Sequence, residues 1–123
     1  MPALSFSCRN KKQALINKEC SQTIRPKRKN PNFRVGDRLY IYWKQRVPEE
    51  KKDVHKIGEG IVTQVDSIRF TPTRAMGSFV EPLSVLAKKD GFESKREMWA
   101  WFEKRYSSEL YDIDFRIIRW NWE

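Results

Sequence analysis

Between Arg38 and Lys44 the chain alternates cleanly, with Leu39, Ile41 and Trp43 on one side and Arg38, Tyr40, Tyr42 and Lys44 on the other. A period of two sends successive side chains to opposite faces of a sheet, so this run predicts a strand with one buried face. A weaker alternation through Leu4 and Phe6 predicts a first strand over Ala3 to Ser7. Gln22 to Arg25 also reads as a strand, because Thr23 and Ile24 are β-branched and Pro26 forces its predecessor to be extended. Ile57 to Phe70 reads as one long strand whose apolar phase slips: Ile57, Ile61 and Val65 are odd, Ile68 and Phe70 even. One extra residue must be absorbed without flipping the sheet, which predicts a bulge or bend near Asp66-Ser67. Gly58 and Gly60 suit a tightly curved wall. The last strand, Tyr111 to Trp122, changes phase between Ile117 and Ile118 and is therefore buried on both faces or bulged.

Helical spacing is confined to three short stretches. Lys11 to Lys18 carries Ala14, Leu15 and Ile16, with Asn10 as a candidate N-cap. Pro82 opens a second helix through Leu83, Leu86 and Ala87 that Gly91 ends. Ser94 and Glu97 form a capping box for a third, which runs to about Tyr106. In it Met98, Trp99, Phe102 and Tyr106 recur at helical spacing, the stripe of a helix packed on a core. Gln45 to Lys56 is polar and mixed in sign, a surface loop ending at His55. Thr71 to Glu81 has no period and is a candidate lid. Strands dominate, and the fold predicted is α+β, a partly open β-barrel of about five to six strands with flanking short helices.

Composition narrows the class. A chain of 123 residues with 39% hydrophobic and 13% aromatic residues supports one domain, residues 1–123, with one real core. No run of about 18 apolar residues predicts a transmembrane helix. Arg9, Lys11 and Lys12 follow Met1 to Cys8 too closely for a signal peptide's apolar core, so the expected location is intracellular, in the cytoplasm. Cys8 and Cys20 are too few for a disulfide framework, and with His55 they make only scattered ligands, so reduced thiols and neither metal nor cofactor are expected.

Charge changes the picture most. The net charge is +9, yet residues 1–56 carry 15 Lys and Arg against 5 Asp and Glu, while residues 57–123 carry 10 against 11. The whole excess sits around a turn-rich loop, where Arg25, Lys27, Arg28, Lys29 and Arg34 stand on a frame of Pro26, Asn30, Pro31 and Asn32. Such asymmetry predicts an anionic partner. No amphipathic basic helix suited to a membrane surface is present in the sequence, so nucleic acid is the expected partner. Tyr40 and Tyr42, beside two cations on the outward face of their strand, offer rings on which bases could stack.

Thr23-Ile24-Arg25-Pro26, the basic loop, Val35-Gly36-Asp37-Arg38-Leu39-Tyr40-Ile41-Tyr42-Trp43 and Arg46 together resemble an ASCH domain of the PUA-like superfamily. Lys56-Ile57-Gly58-Glu59-Gly60, Asp90-Gly91-Phe92-Glu93-Ser94 with Trp99 and Phe102, and Phe115-Arg116-Ile117-Ile118-Arg119-Trp120 follow in the same order, so the resemblance covers about Phe6 to Trp120. It implies a small PUA-like mixed barrel and a cleft that binds RNA or a modified nucleoside, with Arg25, Lys27, Arg28, Lys29, Arg34, Tyr40, Tyr42 and Arg46 as the contact set. It equally implies two enzymatic alternatives, an amidohydrolase acting on N-acylated cytidine and a ribonuclease. For the amidohydrolase, Thr23 matches the family Thr, and Asp90 is aligned with the family Glu. The family Lys falls on Cys20, a poor activating base at neutral pH. Lys18 reaches that site only if the strand register shifts.

Overall fold

The computed structural model describes residues 3–6, 15, 17–27, 33–43 and 55–123, without the side chains of 3–6, 43 and 55. Strands β1 (Ala3–Phe6), β2 (Gln22–Pro26), β3 (Arg38–Trp43), β4 (His55–Phe70), β5 (Ala75–Gly77) and β6 (Phe115–Trp122) form one six-stranded sheet. Its order is β1-β3-β4-β6-β2, with β5 on β4. β1 runs parallel to β3, and the remaining pairs are antiparallel. Helices α1 (Leu83–Lys89) and α2 (Lys95–Tyr106), then a 3-10 helix (Ser107–Asp112), lie between β5 and β6. The fold is α+β. β1 and β2 stand at the two ends of the order with no pairing between them among the described residues, so the sheet is open there.

The phase change in the last strand has a clear cause. β6 lies between β4 and β2, and both of its faces are covered. Ile118 and Trp120 enter one cluster with Leu15, Phe33, Leu39, Ile41 and Val62. Phe115 and Ile117 enter a second cluster with Ile24, Ile68, Phe70 and the buried residues of α1 and α2. Successive residues of a strand point opposite ways, so Ile117 and Ile118 serve different cores across one backbone. Each of these burials is worth about 1.5–3 kcal/mol.

The bulge in β4 falls earlier than the expected Asp66-Ser67. Its register against β6 shifts between Val62 and Gln64, leaving Thr63 as the extra residue. Val62 is held on both sides: it pairs with Trp120, and its backbone exchanges hydrogen bonds with the turn at Gly36 (2.8 Å) and Asp37 (2.9 Å). The slack must therefore come after it. Beyond the bulge Val65 still packs on the first cluster, while Ile68 and Phe70 face the helices. A second irregularity in β4, opposite Ile41/Tyr42, frees Ile57. Gly60 sits under the Trp120 ring, where an added Cβ would come within 2.6 Å of it.

The non-periodic stretch from Thr71 to Glu81 is partly ordered as a hairpin arm. β5 pairs Ala75, Met76 and Gly77 with Phe70, Arg69 and Ile68. Three paired residues are too few to show an alternation. Gly77 permits the approach, since a Cβ there would lie 1.9 Å from the Ser67 carbonyl oxygen.

The helix signals match closely. Gly91 at φ 96° closes α1, with Phe92 N–H donating to the Ala87 carbonyl and Gly91 N–H to that of Lys88, a Schellman end. Ser94 Oγ accepts from Glu97 N–H at 3.1 Å and caps α2. The last strand starts later than expected, at Phe115, because Tyr111 and Asp112 belong to the 3-10 helix that plugs the fully buried Leu110 into the second cluster. The expected surface loop ends earlier than Lys56, since His55 and Lys56 pair with Trp43 and Tyr42. Most of the first predicted helix and of that loop lies outside the described residues, although Leu15 is helical and buried.

Candidate nucleic-acid interface

β2 distributes the expected site residues by simple alternation. Thr23 and Arg25 point to one face and Gln22 and Ile24 to the other, where Ile24 meets the helix-side core. Thr23 is 4% exposed, and its hydroxyl accepts a hydrogen bond from Arg25 Nε at 3.3 Å. A guanidinium cannot take a proton at neutral pH. The contact supplies positive charge and orientation to the hydroxyl.

Cys20 and Asp90 come together at a different place. The single Cys20 S–H proton is within hydrogen-bond distance of two carbonyl acceptors, that of Lys89 at the end of α1 (3.4 Å) and that of Gln22 (3.5 Å). Gln22 Nε2 donates to Asp90 Oδ1 at 3.3 Å and to the Leu86 carbonyl at 3.1 Å. Asp90, 7% exposed, thus belongs with Gln22 on the helix side, opposite the face of Thr23. Lys18 is in the left-handed region at φ 60°, and its Nζ lies 5.8 Å from the centroid of the Trp122 ring.

Gln22 leads into a polar network that no local signal in the sequence marks. Arg119 donates from Nε to Gln22 Oε1 at 2.9 Å and from Nη1 to Gln64 Oε1 at 3.3 Å, and it forms an ion pair with Glu81. The Arg119 and Glu81 side chains are only 13% and 12% exposed. Burial pushes the Arg119 pKa down while the Asp66 carboxylate pulls it back up, and the group stays charged. Asp66 in turn accepts from Gln64 and from the Ser78 hydroxyl (3.0 Å). The network ties β2, β4 and β6 to the segment between β5 and α1.

On the face of Thr23, β6 places Arg116 directly opposite Arg25, and β4 places Ser67 beyond it. The neighbouring row is Thr23, Ile118 and Val65. Arg25 and Arg116 are both half-buried, and Arg116 Nη1 donates to the Phe115 carbonyl at 3.0 Å. The Arg-Ile-Ile-Arg spacing around the phase change was the one available signal: two apolar neighbours facing opposite cores put Arg116 and Arg119 on opposite faces as well.

The basic loop leaves β2 at this end of the sheet. Lys27 is exposed, and its N–H donates to the Asp114 carbonyl at 2.8 Å. Arg34 is exposed in the turn that docks on Val62, its N–H bound to Asp37 Oδ2 at 2.9 Å. Along β4, Val62 lies five residues from Ser67, roughly 15 Å. Arg28, Lys29 and Arg46 lie outside the described residues. Tyr40 and Tyr42 are half-buried on β3, with Tyr40 on the face opposite Leu39 and Ile41. Lys56 Nζ covers the Tyr40 ring at 4.9 Å, so stacking by a base there would displace a cation already in place. The same lysine bonds Glu59 at 3.1 Å and holds its carboxyl below the usual range. The two tyrosines therefore do not share a site with Thr23 and Arg25.

Among the described residues no group of three His, Cys, Asp or Glu is placed to hold a metal ion, and no helix is long and apolar enough to cross a membrane. Comparison with family models, curated proteins and solved structures found no match.

Proposed function

We propose that the chain is a binding module for RNA, or for a modified nucleoside within it, on a curved sheet of the PUA-like, ASCH type. The observation that carries this reading is the exit of the basic loop. β2 ends at Pro26, so the exposed Lys27 stands two residues past the point where Arg25 opposes Arg116, and Arg28 and Lys29 follow it in sequence. An exposed lysine thus adjoins half-buried arginines on two paired strands, an arrangement suited to a phosphate backbone. The curved-barrel reading is supported by the glycines of β4 lying under Trp120 and Trp122, and by Leu15 and Phe33 filling the face away from the helices.

Between binding and hydrolysis the geometry favours binding. An amidohydrolase needs a base within about 3 Å of the nucleophilic hydroxyl. Thr23 Oγ1 is instead met by a guanidinium, and Asp90 is held by Gln22 on the other face.

The test is the salt dependence of binding to single-stranded RNA. Each phosphate contact adds roughly 0.7 to the slope of log affinity against log salt. Changing Lys27, Arg28 and Lys29 to Ala should flatten that slope by about two units if all three meet phosphate. An unchanged slope and affinity would remove the loop from the interface.

A further inference from the structure

Helix α2 buries Met98 and Phe102 outright, with Trp99 and Tyr106 packed against the same cluster. Trp101 stands outside that stripe and is 38% exposed. Its ring meets Phe102 edge-on at 5.0 Å and the half-buried Phe92 at 6.1 Å between centroids. Phe92 follows the Gly91 turn that ends α1, so Lys88 and Lys89 of the last turn of α1 lie within four residues of it. Lys104 and Arg105 come three and four residues after Trp101, on its side of α2. All four cations are exposed, and none forms an ion pair among the described residues. As last-turn residues they suit the negative ends of their helices. That accounts for their sign but not for an indole held partly in solvent among them.

We propose that Trp101 and Phe92, with Lys88, Lys89, Lys104 and Arg105 beside them, dock an acidic segment of another protein that carries an aromatic or large aliphatic anchor. A tryptophan backed by other rings is the kind of residue that dominates interface energetics, and the cations beside it select carboxylates. Carboxylates of this chain are present too: Glu97 precedes Trp101 by one helical turn, and Glu93 adjoins Phe92. A continuous phosphate backbone would meet them as like charges, whereas a peptide can set a neutral or basic residue there. A second copy of this chain carries the same net charge of +9 and repels the first. The surface belongs to α1, α2 and the turn between them, so the proposal does not depend on the RNA reading.

The experiment selects from a phage-displayed library of random short peptides on the wild-type protein. The enriched sequences are then measured as synthetic fluorescein-labelled peptides by anisotropy. They should place Asp or Glu on both sides of Phe, Trp or Leu. Trp101→Ala should weaken their binding about tenfold. The double charge reversal Lys104→Glu with Arg105→Glu should weaken it at least as much. It leaves the buried residues of α2 in place and serves if Trp101→Ala does not fold. Lys27→Ala should bind the peptides as wild type does. Selection without acidic enrichment overturns the proposal. So do acidic peptides that bind Trp101→Ala and the charge reversal as tightly as wild type. A short single-stranded RNA that displaces the peptides and moves the Trp101 indole N–H signal overturns it in favour of RNA on this face.

Discussion

Removing Glu81 should cost this protein more than any surface ion pair could. Glu81→Ala leaves the Arg119 guanidinium 13% exposed, with Gln22 and Gln64 but without its carboxylate. Breaking one partner of a buried pair destabilises by roughly 3–5 kcal/mol, because the charge left behind is uncompensated. Two amide acceptors and the nearby Asp66 carboxylate remain, so the lower end applies, about 3 kcal/mol. For a chain of 123 residues that corresponds to a fall in Tm of about 10 °C. Urea unfolding followed by tryptophan fluorescence would measure it, with Arg119→Met and the double variant completing a cycle. The double variant should lose less than the sum of the singles, by about 2 kcal/mol of coupling. Loss in Glu81→Ala of under about 0.5 kcal/mol, the range of an exposed pair, would refute the argument that this ion pair is closed and buried in solution.

Gly77→Ala places a Cβ against the Ser67 backbone, so β5 must leave β4; limited proteolysis should then cut between Thr71 and Glu81 far faster than in wild type. Ser94→Ala removes the cap of α2 and should lower stability by about 1 kcal/mol in the same urea assay. Truncation after Leu110 deletes β6, which contributes to both cores and pairs with two strands, and should abolish cooperative thermal unfolding. Incubated with acetylcytidine, wild type should release little or no cytidine; robust turnover that Thr23→Ala removes would establish hydrolysis in place of simple binding.

What was readable along the chain depended on how local its cause was. The caps at Ser94 and Gly91 are decided within four residues, and they appear where expected. The alternation of β3 was visible because Leu39 and Ile41 are buried while Arg38 and Tyr40 are not. The phase change at Ile117-Ile118 was visible too, but its meaning depended on β6 lying inside the sheet with a core on each side. The bulge was misplaced because Val62, Ile68 and Phe70 share a parity in sequence while serving opposite faces. Only the distant turn at Gly36 and Asp37 decides where the slip occurs. The same limit applies to the site. Thr23 and Arg25 could be named from their own strand. Arg116 acquires its meaning from a cross-strand neighbour, and the Arg119–Glu81 pair joins residues 38 positions apart.

The central claim is that an RNA strand meets Arg25 and Arg116 where β2 ends and continues onto the basic loop. An NMR titration of isotope-labelled protein with a short single-stranded RNA tests it most directly. The amides of Thr23, Arg25, Lys27, Ser67 and Arg116, and the Nε–H signals of the two arginines, should shift together and saturate with one affinity. Signals of the outward side of α2, such as that of the exposed Trp101, should stay in place. A saturated titration whose shifts fall on α1 and α2, or no shifts at all at low salt, would contradict the account.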